Sequence, residues 1–300
     1  MDGVLNVLKP TGMTSHDVVD VIRRLVGQRR VGHTGTLDPG AAGVLVLVLG
    51  QATRVAEFLS EADKSYRFEL TFGMATTTGD AFGEITSIAD ASSLSEEQLA
   101  DVLPQFLGEI EQLPPMTSAV KVGGVPLYRR ARRGETVAVQ PRRVRVYRLR
   151  LLRFWPGRRP RALLDVECGK GTYVRALARD IGQVVGVGAY ASFMLRLRVG
   201  AFPLEASRTL EELSGLQAEG RLGEALVSMD DALADLPAVQ LLPAQRLSVQ
   251  AGLPLPLFRV PNWQRLPRDV PIRLRDRSGL IALARVEGGS LRPFKVLRGR

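Results

Sequence analysis

The sequence has few of the side chains that commonly form disulfides or bind metals. Its 300 residues include one cysteine, Cys168, and two histidines, His16 and His33. A single cysteine excludes an internal disulfide, and the spacing of these three side chains matches no zinc site. Cys168 ends an apolar, strand-like segment, which favours a buried thiol over a nucleophile. The sequence therefore predicts no metal site.

Long hydrophobic runs are also absent. No segment approaches the roughly 20 apolar residues that a membrane-spanning helix needs, and the amino terminus lacks a basic region followed by a long apolar core. These features predict a cytoplasmic chain that does not associate with membranes. With 45% hydrophobic residues, the chain can form one large domain or a large and a small one.

Lysine is rare, whereas arginine is abundant, with 36 arginines against 5 lysines. The net charge of +10 is uneven, because residues 128–161 hold 13 arginines and one glutamate, and residues 241–300 hold 12 basic and three acidic residues. Two basic segments on an otherwise acidic chain favour binding to a polyanion such as a nucleic acid, since phosphate contacts release counterions. The alternative is a solvated surface in an arginine-rich proteome.

The most informative segment is GHTGTLDPGAAGVLVLVLG at residues 32–50. Pro39 disfavours the helical conformation at Asp38, and the neighbouring glycines permit turns that a side chain would block. The apolar run at residues 44–49 predicts a central strand directly after this loop. Asp38 is therefore either a turn residue that bonds its own backbone or a catalytic carboxylate at the rigid edge of a sheet.

Further motifs accompany this loop in a fixed order. They are KPTGMTS at 9–15, KSY at 64–66, TGDAFG at 78–83, PPMTSAVK at 114–121, KGTYVR at 170–175 and LRLRVGAF at 195–202. Together with GHTGTLDPGAAG, they resemble the motifs of the TruB family, the tRNA pseudouridine synthases that act on the T-loop uridine. The resemblance runs through about two-thirds of the chain. Thr117 departs from it, because the family pattern has tyrosine at that position.

The resemblance implies an isomerase that converts uridine 55 of the tRNA T-loop into pseudouridine. The reaction breaks the glycosidic C–N bond and rejoins the uracil through carbon, so no cofactor is required. By resemblance, Asp38 is the catalytic carboxylate, Arg175 is its partner cation and Tyr66 is the ring that stacks on the uracil. The residues alone also allow Tyr66 to be a core aromatic and Arg175 to be a surface arginine.

A second group of residues is predicted to bind substrate. By resemblance, Tyr173 lines the pocket, Leu195 forms an apolar wall and His33 contacts the T-loop, although His33 could instead cap its own Gly-Thr turn. Lys9 and Lys64 belong to the quoted motifs. In an arginine-rich chain, a retained lysine indicates a place that needs a compact ammonium group, so both are predicted substrate-binding residues.

The predicted fold is α+β. The resemblance implies a pseudouridine-synthase domain over residues 1–237, with a mixed, largely antiparallel sheet flanked by helices. Residues 238–300 are rich in proline and short strand patterns, which predicts a small β-barrel-like domain similar to the PUA RNA-binding domains of the family. The segment at about 74–115 is predicted to be a surface insertion that grips RNA. A helix is expected from residue 15 to 26, capped by Ser15.

The predicted partner is the T-arm of tRNA, with no obligate protein partner and a monomeric state. Two alternatives remain at the level of sequence. The chain could be an RNA-binding or RNA-folding protein without catalysis on the same scaffold, or a synthase guided by a separate RNA.

Overall fold

The computed structural model describes residues 1–118, 120–131, 133–135 and 137–297. Ala119 of the PPMTSAVK motif, Arg132 of the first basic segment and residues 298–300 of the predicted second domain lie outside the described residues.

The α-helices of the described residues are, in chain order, α1 (Ser15–Val26), α2 (Ala56–Ser60), α3 (Glu96–Val102), α4 (Leu127–Ala131), α5 (Val174–Val185), α6 (Leu210–Ala218), α7 (Met229–Ala232) and α8 (Pro243–Gln250). Short 3-10 helices cover Gly50–Arg54, Leu103–Phe106, Leu204–Ala206, Leu222–Ala225, Leu257–Arg259 and Trp263–Arg265. Within the described ranges, none of the helices combines the length and the apolarity that crossing a membrane requires.

The strands follow the same order: β1 (Gly3–Lys9), β2 (Val31–His33), β3 (Ala42–Leu49), β4 (Lys64–Phe72), β5 (Met74–Thr76), β6 (Ile85–Ile88), β7 (Gly108–Gln112), β8 (Lys121–Val122), β9 (Val125–Pro126), β10 (Arg142–Trp155), β11 (Arg161–Cys168), β12 (Ala189–Val199), β13 (Phe202–Pro203), β14 (Leu226–Val227), β15 (Ala238–Gln240), β16 (Leu255–Pro256), β17 (Ile272–Asp276), β18 (Gly279–Glu287) and β19 (Ser290–Val296).

The central sheet has the strand order β14-β1-β3-β12-β4-β11-β10-β7, with β2 beside β3 and β13 beside β12. The pairing of β3 with β12 is parallel, and the other pairings in this sheet are antiparallel. The prediction of an α+β fold with a mixed, largely antiparallel sheet is therefore confirmed.

Strand β3 is buried on both faces, as its unbroken apolar run predicts. Its three valines pack in a core with Val199 and Phe202, whereas its leucines at the alternate positions pack in a second core with residues of α1. Because successive side chains of a strand point to opposite faces, VLVLVL fills both cores at once. The loop that precedes β3 therefore starts from a rigid strand.

Helix α1 has the predicted bounds, but its cap differs from the prediction. Thr14 is the N-cap and forms a capping box with Asp17, and Gly27 ends the helix in the left-handed conformation. Ser15 instead turns inward, where its hydroxyl bonds the backbone of Leu37. The residue predicted as a cap therefore holds the loop that contains Asp38.

The predicted surface insertion at 74–115 is only partly at the surface. The side chains of Leu99, Leu103 and Phe106 are buried in the largest core, and β7 is an edge strand of the central sheet. In the hairpin of β5 and β6, β6 is exposed and carries Ile85 and Ile88 at its surface, whereas Met74 of β5 is buried. The amphipathic pattern of α3 thus belongs to a helix that packs on the main core. A surface insertion remains the expectation for residues 74–88 alone.

The second sheet has the strand order β15-β17-β18-β19-β16 and begins at Ala238, where the second domain is predicted to begin. Its side chains Leu280, Leu283 and Leu297 pack with valines of β3 in one core. The two sheets therefore share apolar contacts, and the prediction of a small β unit at the carboxyl end is confirmed.

A buried ion pair also joins the second sheet to α7. Arg273 on β17 donates to a carboxylate oxygen of Asp230 at 2.8 Å and to the backbone oxygens of Asp230, Ala234 and Leu236. Both side chains are less than 10% exposed. Arg275 also lies 2.9 Å from the other carboxylate oxygen of Asp230. Removing Asp230 would leave the buried guanidinium of Arg273 without its counterion, so this carboxylate fixes the second sheet against α7.

Strand β10 has the half-exposed character that its alternating sequence predicts. Val144 and Val146 are buried, while Arg143, Arg145 and Tyr147 are exposed. Its partner strand β11 ends at Cys168, whose thiol is buried. Burial raises the pKa of this thiol to about 11, so Cys168 is a core residue rather than an activated nucleophile.

Candidate active site

A cleft of about 250 Å³ opens between the loop before β3, the first part of β4 and the first turn of α5. Its walls include Asp38, Tyr66, Tyr173, Arg175, Met194 and Arg196. Residues from four separate motifs therefore meet in one concave site.

Asp38 and Arg175 form a bidentate ion pair in this cleft. Nε of Arg175 lies 2.8 Å from Oδ2 of Asp38, and Nη2 donates to Oδ1 at 2.9 Å. The arginine side chain is 5% exposed, whereas the aspartate side chain is 32% exposed. The guanidinium is thus buried behind the carboxylate, which faces the cleft.

The remaining nitrogen of the guanidinium is also paired. Nη1 of Arg175 donates to the backbone oxygen of Thr78 at 3.2 Å and to Oγ1 of Thr117 at 2.5 Å, and it lies 3.5 Å from a carboxylate oxygen of Asp80. Thr117 stands where the family pattern has tyrosine, and here its hydroxyl accepts a bond from the arginine. Five polar contacts fix the plane of the guanidinium, and with it the direction of Asp38.

The amino-terminal motif holds the Asp38 loop through the backbone. The hydroxyl of Ser15 accepts from Leu37 N–H at 2.8 Å and donates to its carbonyl oxygen at 3.0 Å. Gly12 N–H donates to the oxygen of Pro39 at 2.8 Å. The residues on both sides of Asp38 are therefore tied to the segment between β1 and α1, which explains why KPTGMTS accompanies the loop motif.

Arg196 holds the other end of the loop, and sequence reasoning gave it no role. Its side chain is 1% exposed, and it donates to the backbone oxygens of Val44, Thr36 and Gly35 at 2.6, 3.1 and 3.2 Å. Gly43 meets the backbone of Arg196 so closely that a Cβ there would overlap it. The LRLR pattern contains two arginines on one strand and does not indicate which is buried.

Tyr66 and Tyr173, which are both predicted site residues, line the cleft. Tyr66 is 7% exposed, and burial raises the pKa of its hydroxyl, so the ring is neutral at physiological pH. Tyr173 precedes α5, and its backbone N–H and carbonyl bond the side-chain amide of Gln112 at 3.0 and 3.3 Å. Gln112 is a buried residue of β7 that the sequence did not single out.

The two predicted substrate-binding lysines use their ammonium groups within the protein. Nζ of Lys9 is fully buried and donates to the backbone oxygens of Pro10, Met13 and Pro39, and burial lowers the pKa of this group to about 8. Nζ of Lys64 donates to the backbone oxygens of Ser60 and Ala62. Lys64 still lines the cleft, whereas Lys9 supports the Asp38 loop from behind.

The other two predicted residues lie beside the cleft. His33 ends β2 next to Thr34 of the cleft wall, and burial lowers its pKa, so the ring is neutral at pH 7. Leu195 lies between Met194 and Arg196, which both line the cleft. Since neighbouring side chains of a strand point to opposite faces, Met194 occupies the place expected of Leu195.

Comparison with known proteins agrees with this geometry. The family model for the TruB family pseudouridylate synthase (N terminal domain) matches residues 23–174, which contain Asp38, Tyr66 and Tyr173. The chain belongs to the TruB family. The tRNA pseudouridine synthase B of Pelotomaculum thermopropionicum is 49% identical over 290 residues, covering 95% of this chain and 91% of that protein. That of Symbiobacterium thermophilum is 54% identical over 239 residues, covering 80% and 78%.

Solved structures of the same fold align with almost the whole chain. A crystal structure of a Cbf5-Nop10-Gar1 complex aligns at a TM-score of 0.77 and 28% identity, over 99% of this chain and 85% of that chain. An H/ACA RNP bound to a substrate RNA containing 2′-deoxyuridine aligns at a TM-score of 0.76 and 26% identity, over 99% and 86%.

The bonds of Arg196 generate a prediction for stability. Replacing Arg196 by lysine should lower the free energy of unfolding by roughly 2–4 kcal/mol, because an ammonium cannot reach all three carbonyls that the guanidinium bonds. Urea unfolding of the purified variants measures this difference.

The matched control is Arg198→Lys on the same strand, because Arg198 is only partly buried and donates to the nearby backbone oxygen of Gly200 at 3.0 Å. Equal losses for the two variants would contradict the role given to Arg196.

Proposed function

We propose that this chain is a tRNA pseudouridine synthase that isomerises uridine 55 in the T-loop, with Asp38 as the catalytic carboxylate. The observation that carries the proposal is the bidentate pairing of Asp38 with a buried Arg175 at a cleft lined by Tyr66. The identity to enzymes named tRNA pseudouridine synthase B, over most of the chain, supports tRNA as the substrate.

The chemistry requires an ionised carboxylate in a site that excludes bulk water. The guanidinium of Arg175 supplies a counterion to both oxygens of Asp38 and fixes the direction of the carboxylate. Asp38 is then available to attack the sugar or the base, or to remove a sugar proton. All three routes leave the composition of the nucleoside unchanged, so the reaction uses no external oxidant or cofactor.

The aromatic and apolar walls define where the base lies. Tyr66 presents a neutral ring for stacking on an extruded uracil, and Tyr173 and Met194 close the cleft against water. A uridine within a folded loop must leave its stack before it can enter, at a cost of a few kcal/mol. Contacts to phosphates and stacked bases elsewhere on the protein must offset that cost.

The RNA surface is proposed to include the exposed arginines of the second basic segment. Arg265, Arg268 and Arg277 are exposed on the carboxyl-terminal unit, which we regard as the PUA-like part of a domain pair divided near residue 237. We also propose that His33, beside the cleft, and Lys64, on its wall, contact the T-loop, with the Lys64 ammonium still bonded to the carbonyls of Ser60 and Ala62. We propose a monomer that acts on tRNA in the cytoplasm.

A guided synthase is the second candidate. The alignment with a chain from a Cbf5-Nop10-Gar1 complex favours it, whereas the higher identity to tRNA pseudouridine synthase B enzymes favours independent action. Multiple turnovers by the purified chain on a bare tRNA transcript support the independent enzyme. Turnover that requires an added guide RNA would favour the alternative, and binding without turnover would indicate a non-catalytic RNA-binding protein.

Replacing Asp38 by asparagine should lower the single-turnover rate by roughly 10⁴-fold or more, because the neutral amide cannot act as nucleophile or base. Release of tritium from tRNA labelled at C5 of uridine measures the reaction, and filter binding should give nearly the wild-type affinity.

Asp20→Asn is the control, since Asp20 is a half-exposed residue of α1 that pairs with Arg23. Retained turnover in the Asp38 variant would remove this residue from the mechanism.

The carboxyl-terminal arginines generate a prediction about salt. Replacing Arg265, Arg268 and Arg277 together by alanine should weaken tRNA binding. It should also lower the slope of log Kd against the logarithm of the salt concentration by about 2–3, because each phosphate contact releases roughly one counterion. The rate of chemistry at saturating enzyme should stay close to that of the wild type.

The matched control replaces the same three arginines by lysine, which keeps the charge. An unchanged salt slope in the alanine variant would show that these side chains do not contact phosphate. Deleting the segment is a poorer test, because Leu280, Leu283 and Leu297 complete a shared core.

A further inference from the structure

Phe82 is an exposed phenylalanine whose ring lies against Gly40, two residues after Asp38. It lies in the connection between β5 and β6, and 77% of its surface is exposed. A phenylalanine ring that stays largely exposed does not gain the favourable free energy of burial. In the TGDAFG motif, Gly79 and Asp80 contact Arg175, but no function described above uses the ring of Phe82.

The position of Phe82 is fixed by the same guanidinium that holds Asp38. A carboxylate oxygen of Asp80 accepts from Phe82 N–H at 3.0 Å and from the hydroxyl of Thr78 at 2.6 Å. The other carboxylate oxygen of Asp80 lies 3.5 Å from Nη1 of Arg175. The turn that presents the ring is therefore built on the active-site arginine.

The hairpin below this turn is closed by further bonds. Thr77 N–H donates to the oxygen of Glu84 at 2.9 Å, and Glu84 N–H donates to the hydroxyl of Thr77 at 3.1 Å. Gly79 packs so closely on the backbone of Arg175 that a Cβ there would lie 2.8 Å from its carbonyl oxygen. These contacts make the turn a firm support.

The ring lies directly against the Asp38 loop. It occupies the space that a Cβ on Gly40 would take, and Gly40 is two residues after Asp38. The φ of Gly40 is not in the left-handed region, so a side chain there would disturb the ring of Phe82 and not the backbone conformation. One edge of Phe82 is thus packed on the loop, while most of the ring faces solvent beside the cleft.

We propose that Phe82 is a stacking platform for an unpaired RNA base next to the extruded uridine. This proposal rests on the proposed function, because it assumes that the cleft receives a nucleotide. Proteins that bind unstacked bases do so on exposed aromatic rings, and such stacking tolerates any base identity. Extruding a uridine leaves its neighbours in the loop without a stacking partner, and Phe82 supplies one a short distance from Asp38.

The test combines protein variants with abasic RNAs in a double-mutant cycle. A stem-loop with the sequence of the T-arm is prepared intact and in a series in which each loop nucleotide except the target uridine lacks its base. On the intact RNA, Phe82→Ala should weaken binding roughly 5- to 100-fold. On one RNA of the series, the loss caused by Phe82→Ala should disappear, because the stacking partner is already missing.

Two further variants separate stacking from packing on Gly40. Phe82→Leu keeps an apolar side chain without an aromatic face and should bind as weakly as Phe82→Ala, whereas Phe82→Trp should bind at least as tightly as the wild type. Ile88→Ala is the matched control, because Ile88 is 66% exposed on the same hairpin and pairs with Met74 at its far end. This control should retain wild-type affinity.

Several results would overturn the proposal. They are an unchanged affinity for Phe82→Ala, a wild-type affinity for Phe82→Leu, or a loss for Phe82→Ala that is the same on every abasic RNA. Because affinity is measured separately from turnover, the two proposals fail independently. If the wild-type protein has no turnover but the loss caused by Phe82→Ala depends on one base, only the proposed reaction is rejected. If the wild-type protein turns over but no such dependence is found, only the stacking platform is rejected.

Discussion

The buried guanidinium of Arg175 is the constraint on which the site depends. It bonds both oxygens of Asp38, approaches Asp80, and donates to Thr78 and Thr117, so it joins three loops and the first turn of α5. Removing any one acceptor would leave part of a buried charge unsatisfied, which links the direction of the catalytic carboxylate to the conformation of its neighbours. The same guanidinium that directs Asp38 also approaches Asp80, which holds the turn that carries Phe82.

Much of this arrangement could be predicted from local sequence patterns. The bounds of α1 and the doubly buried β3 follow from periodicity and from the flanking residues, whereas the meeting of Asp38 with Arg175 was implied by the resemblance to the TruB family. The bonds of Ser15, Arg196 and Gln112 did not follow, because each joins backbone groups far away in the chain and depends on topology. The segment from α3 to β7 was misjudged for a related reason. An acidic amphipathic helix has the same pattern whether it covers an insertion or the main core.

The cations of this arginine-rich chain divide into two kinds that composition cannot separate. Arg175, Arg196, Arg273 and Lys9 are buried, and their donors are directed at carboxylates or backbone carbonyls of the protein. The arginines of β10 and many of those in the carboxyl-terminal unit are exposed. Retained lysines were predicted to bind substrate, yet Lys9 and Lys64 direct their ammonium groups at carbonyls of neighbouring turns. A compact ammonium suits such a site as well as it suits a phosphate.

A double-mutant cycle on the single-turnover rate tests the central claim most directly. It compares Asp38→Asn, Arg175→Met and the double variant with the wild type, at enzyme concentrations that saturate the RNA. If the pair acts as one unit, the double variant should be scarcely slower than the slower single variant. Losses that multiply in the double variant would show that the two residues act separately, and the account of a carboxylate held in its reactive state by Arg175 would be wrong.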